Sequence, residues 1–132
     1  MIREVALFGL LVTSAAPGQA PAKKAIKFQC TCDDSVGVRY ATAMRDLIAA
    51  SPRYKSATEF TVGEGKGSVW NLGVRVVSID PTVGKTGNST VLSVVLTVGP
   101  LYMTSYVQVC TSDGVSSCAA DTFAEIDQEL SK

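Results

Sequence analysis

Four cysteines, Cys30, Cys32, Cys110 and Cys118, together with a complete lack of histidine, limit the chemistry open to this chain. Without imidazole there is no Ser-His-acid triad, no Cys-His pair and no histidine-bearing zinc centre, which removes most designs of extracellular hydrolase. Carboxylate chemistry or a Ser-Lys pair would remain for a small histidine-free enzyme. The candidate carboxylates are Asp33, Asp34, Glu59 and Glu64, but the first two serve more simply as helix caps and the other two as a solvated strand edge. Gly84-Lys85-Thr86 invites a phosphate-loop reading. The pattern requires a glycine where Ile79 stands and a helix where a strand is expected to follow, so it fails twice. No catalytic residue, metal site or cofactor is assigned. Asn88-Ser89-Thr90 is a glycosylation sequon whose use depends on the source, and a surface turn accounts for it.

The cysteines are an even set, which suits two disulfides in an oxidising compartment. A four-thiolate zinc site is disfavoured because C-x-C with C-x7-C departs from knuckle spacing. On a strand, Cys30 and Cys32 point to the same face, which favours separate partners for each. The expectation is therefore cross-links from the first strand to the Cys110 to Cys118 region. Closure of Cys110 on Cys118 across the turn-rich Thr111 to Ser117 span is the alternative.

The elements that would carry these residues follow from periodicity. Ala25 to Thr31 alternates, with Ile26, Phe28 and Cys30 on one face, and predicts a first strand. Asp33, Asp34 and Ser35 offer caps for a helix in which Val36, Tyr40, Met44, Leu47 and Ile48 form a stripe, ended by Ser51-Pro52. Ala57 to Val62 is a short strand candidate, followed by a glycine-rich turn, Gly63 to Gly67. In Val69 to Ile79, Trp70, Leu72, Val74 and Val76 share a face, while Val77 and Ile79 lie opposite and predict a bulge or partial burial of both faces. Leu92, Val94, Leu96 and Val98 line one face of the next strand. After Gly99-Pro100, Leu101, Met103, Val107 and Val109 alternate with Tyr102, Thr104, Tyr106 and Gln108, completing an antiparallel meander. Ser116 or Ser117 would cap a last helix with the stripe Ala119, Phe123, Ile126 and Leu130. The order β-α-β-β-β-β-α predicts an α+β two-layer sandwich, a mainly antiparallel sheet of about five strands with two helices on one face.

The N-terminal segment has the plan of a secretory signal: Arg3 near the amine, an apolar run from Val5 to Val12, then small and polar residues up to Ala20-Pro21-Ala22. The run falls short of the roughly 20 residues of a membrane span, so residues 1–22 are expected to be removed rather than retained as an anchor. Cleavage after Ala22 would leave residues 23–132 as a single exported domain beginning at Lys23, with no stable membrane insertion. With a formal net charge of zero and Lys23, Lys24 and Lys27 as the only basic cluster, read as a solvated N-terminal arm, nothing resembles a nucleic-acid footprint, which needs clustered surplus lysine and arginine.

The run from Arg39 to Tyr54, Arg-Tyr-Ala-Thr-Ala-Met-Arg-Asp-Leu-Ile-Ala-Ala-Ser-Pro-Arg-Tyr, follows a strand and the turn Asp33 to Gly37. It resembles the opening of CsgG-like and TolB N-terminal-like periplasmic domains, where a strand leads to a helix ending in a leucine and a Ser-x-Arg/Lys-aromatic phrase. The resemblance is confined to this stretch. It implies a non-catalytic, envelope-associated domain with an envelope protein as partner and transfers no catalytic residues. The expected function is thus a secreted or periplasmic binding domain. Tyr102, Thr104, Tyr106 and Gln108 are its candidate contact stripe, on the face opposite Val107 and Val109. Nothing in the sequence specifies the oligomeric state.

Overall fold

The computed structural model describes residues 23–57, 72–99 and 101–130. Its elements are β1 (Lys24–Cys32), α1 (Ser35–Ala50), β2 (Tyr54–Ser56), β3 (Leu72–Ile79), β4 (Ser89–Val98), β5 (Leu101–Thr111) and α2 (Val115–Leu130), in the expected α+β order. They form a five-stranded sheet in the order β2-β1-β3-β4-β5. β1 runs parallel to both β2 and β3, whereas β3, β4 and β5 form the antiparallel meander. The expected signal segment (residues 1–22), residues 58–62 of the expected second strand, the turn Gly63 to Gly67, Glu59, Glu64, Trp70 and Pro100 lie outside the described residues.

Local chemistry sets the element ends. Asp34 caps α1 by accepting the Gly37 N–H at 2.9 Å. At the other end, Ser51 Oγ accepts the amides of Arg53 at 3.1 Å and Tyr54 at 3.3 Å, turning the chain straight into β2. The second strand therefore starts at Tyr54, ahead of the expected Ala57, and is held to β1 by Lys24 N–H on the Arg53 carbonyl and Ala57 N–H on the Ile26 carbonyl. α2 also starts early: a short 3-10 turn (Ser112–Gly114) leads into it, so Ser116 and Ser117 are exposed residues of its first turn and cap nothing.

Ile26, Leu72, Val74, Val76, Leu92, Val94 and Leu96 from the sheet meet Val36, Tyr40, Met44, Ile48, Ala119 and Ile126 from the two helices in one buried core. Full burial of each large aliphatic side chain is worth about 1.5–3 kcal/mol, so the expected stripes supply the main drive for closing the two layers. β3 pairs with β1 and β4 without a bulge, which removes the first of the two alternatives expected for Val77 and Ile79. Its burial is one-sided: Leu72, Val74 and Val76 are covered by the helices, and Val77 and Ile79 face outward at 39% and 60% exposure. The one polar residue in the α2 stripe, Thr122, is accommodated by a buried hydrogen bond from the Tyr40 hydroxyl at 2.8 Å.

Disulfide pairing is local, between Cys30 and Cys32 and between Cys110 and Cys118, rather than across the sheet as expected. The strand order explains the difference. β3 and β4 intervene between β1 and β5, placing the latter pair roughly 14 Å apart at the usual strand spacing, well beyond the reach of a disulfide. The Cα atoms of Cys110 and Cys118 are 6.1 Å apart, and those of Cys30 and Cys32 5.3 Å.

Candidate interaction surface

Among the described residues β5 has a single strand neighbour, β4, and forms one edge of the sheet. Its eleven residues include no charge and no proline, the usual means of discouraging another strand from pairing there. A bulge opposite Leu96 and Thr97 leaves Met103 without a partner and rotates the strand before it. Tyr102 accordingly pairs with Thr97 on the outer face and lies 2.9 Å from Ser105 Oγ, while Thr104, Tyr106 and Gln108 face the helices. The four residues of the expected stripe therefore do not share a face.

Parity explains the placement. Cys110 is fully buried against α2, to which it is bonded through Cys118, so alternate residues Gln108, Tyr106 and Thr104 turn inward with it. They line an open groove of about 540 Å³ between β5 and α2, closed on the helix side by Asp121, Ala124 and Glu125. Thr122 lies 3.1 Å from Gln108 Oε1, tying the groove floor to the buried Tyr40 hydroxyl. The Tyr106 hydroxyl oxygen is buried without a hydrogen-bond partner among the described residues. Burial raises the pKa of Tyr106; the nearby Thr122 hydroxyl, too poorly aligned to count as a hydrogen bond, offsets part of this, and the negative charges of Glu125 and Asp121 add to the rise.

Among the described residues, no helix packs on the outer face of the sheet. Register aligns Ile79, Val91 and Val109 in one row and Val77, Ser93 and Val107 in the next. Val107 is 69% exposed and Val109 64%, so β-branched apolar side chains cluster on the surface beside the β5 edge. The signal for this patch was present in the sequence as valines on both sides of two strands. Alternation along β5 does not by itself say whether Val107 and Val109 or Tyr106 and Gln108 turn toward the helices.

A second cleft, at the N-terminus of α1, is lined by Asp33, Asp34, Ser35, Asp80, Lys85 and Gly87. Two of its three carboxylates, Asp34 and Asp80, are already engaged. Burial alone would raise the pKa of Asp34, but hydrogen bonds from Ser78 Oγ at 2.5 Å and from the Gly37 amide outweigh it and hold the carboxyl below its ordinary value. Asp80 is lowered by hydrogen bonds from the Thr82 hydroxyl and amide, then by the Gly87 amide. Both are therefore anions at neutral pH, the reverse of a raised-pKa general acid. The same bonds settle the Gly84-Lys85-Thr86 turn: the amides of Thr82 and Gly87 point inward at a carboxylate and that of Thr86 at the Thr82 hydroxyl, and strand β4 follows. That is the opposite of an anion cradle.

No protein-family model matches the chain, and no curated protein matches it significantly. Among the described residues, no helix is long and apolar enough to cross a membrane, and no group of three potential ligands could hold a metal ion.

Proposed function

We propose that the protein is an exported, non-catalytic interaction domain of the cell envelope that contacts a protein partner through the β5 edge and the adjoining outer sheet face. The carrying observation is the exposed array of Val77, Ile79, Val107 and Val109 beside an uncharged edge strand. Apolar side chains in adjacent register positions on a face that no described element covers are what a partner would bury. Three further features support the reading. Residues 1–22 have the plan of a cleaved signal, the cysteines suit an oxidising compartment, and Arg39 to Tyr54 resembles CsgG-like and TolB N-terminal-like periplasmic domains.

Affinity capture from the native envelope with the oxidised protein tests this, using Val107→Asp and Val109→Asp as the comparison. The expected result is a partner retained by the wild type and lost by both variants, with their thermal unfolding unchanged. Recovery of no partner, or equal recovery by the variants, would count against the proposal.

A further inference from the structure

We propose that β5 accepts an extended, lysine- or arginine-bearing segment of a partner protein as an additional antiparallel strand. This rests on the binding role proposed above and specifies the chemistry of the partner.

Ser112 N–H donates to the Asn88 carbonyl at 2.9 Å, and the neighbouring Thr111 pairs with Ser89. Hydrogen-bonded pairs alternate along an antiparallel ladder, so Thr104, Tyr106, Gln108 and Cys110 turn their main-chain groups toward β4. Ser105 and Val107 consequently direct N–H and C=O outward, away from the sheet, and Val109 directs its N–H outward while its carbonyl lies 3.8 Å from Cys118 Sγ of α2. The bulge lies before this stretch, which is regular throughout. By contrast, the opposite edge of the described sheet, β2, is three residues long and displays exposed Lys55, features that discourage strand addition.

The side chains of an added strand would meet two different surfaces. Those on the outer face would extend the Val107 and Val109 rows and are best apolar and β-branched. Those on the helix side would enter the groove lined by Tyr106, Gln108, Asp121 and Glu125. Neither of these two carboxylates is in an ion pair with a described residue, and β5 supplies no cation, so the groove complements positive charge. A second copy of the chain would bring another Asp121 and Glu125 against the first pair, and the repulsion disfavours it. The occupant that fits both surfaces alternates valine-like with basic residues, and main-chain bonds to β5 set its register.

A capped nine-residue peptide alternating valine and lysine serves as the probe, and the same peptide with glutamate replacing lysine as its control. Hydrogen exchange at the Ser105, Val107 and Val109 amides is the readout. Expected is rapid exchange in the free protein, slowed about tenfold or more by the lysine peptide and unaffected by the glutamate peptide. Val107→Pro removes an outward donor without touching the β4 ladder and should abolish the protection at Ser105 and Val109. The double variant Asp121→Asn/Glu125→Gln keeps the edge intact and should remove the preference for lysine. Protection of these amides in the free protein, equal response to both peptides, or no response to either would overturn the inference. An envelope partner held equally by wild type and Val107→Pro would overturn strand addition while leaving the binding role in place; recovery of no envelope partner at all would instead remove the binding role.

Discussion

Asp34 works at the joint between helix and sheet, capping α1 through Gly37 and reaching Ser78 of β3 with its other oxygen. Asp34→Ala should cost about 1 kcal/mol, as loss of a helix cap does, measured by urea unfolding. Because the folded-state pKa values of Asp34 and Asp80 lie below the ordinary 3.8, their contributions are complete above that value and disappear as pH falls through the folded values. Melting temperature should therefore decline below pH 3.8, and less steeply in an Asp34→Asn/Asp80→Asn variant. Gly37 is demanded at this joint by close approach: an added Cβ would collide with the Ser78 side chain and sit 2.7 Å from Asp34 Oδ1. Gly37→Ala should destabilise by about 1–3 kcal/mol, the usual penalty of overpacking, with Ser78→Gly restoring part of it.

At the scale of elements, the Cys110–Cys118 bridge pins the end of β5 to the start of α2 and thereby sets which face of β5 is covered. A tryptic digest of unreduced protein distinguishes the pairings. Cys30 and Cys32 fall in the peptide from Phe28 to Arg39, and Cys110 and Cys118 in that from Thr86 to Lys132. Local pairing yields two unlinked peptides, each one hydrogen pair lighter than its reduced form, whereas a single linked species would contradict this topology. The sequence separation of eight implies that replacing Cys110 and Cys118 by serine costs about 2–3 kcal/mol on loop-closure entropy, seen as a lower denaturant midpoint. α2 is held at its far end by Tyr54, whose hydroxyl donates to Asp127 at 2.5 Å and whose ring meets Phe123 edge-on at 5.7 Å. Burial, then the bond to Asp127, pushes the Tyr54 pKa up to about 12 from 10.0. Its stabilising contribution is complete below pH 10 and lost toward pH 12, so Tyr54→Phe should flatten the alkaline loss of stability.

For the molecule as a whole, the helices α1 and α2 cover one sheet face, and the apolar patch lies on the other, where no described element packs. Replacing Val107 and Val109 with threonine should leave unfolding free energy within about 0.5 kcal/mol, because surface sites away from special features are near neutral. A loss comparable to a core truncation would show that the patch is buried in the free protein. Fold class, element order and the helix stripes were legible in the sequence, because each follows from local periodicity and from punctuation such as Asp34 and Ser51-Pro52. The absence of histidine by itself also excluded triad chemistry. The tertiary structure alone decided the disulfide pairing and the inner face of β5. Alternation along a strand separates two faces without saying which one a helix will cover, and strand order in a sheet is a property of distant segments. Cys110 and Cys118 resolve both questions at once, and they turn the four histidine-free cysteines from candidate chemistry into the link that places Tyr106 and Gln108 within and Val107 and Val109 without.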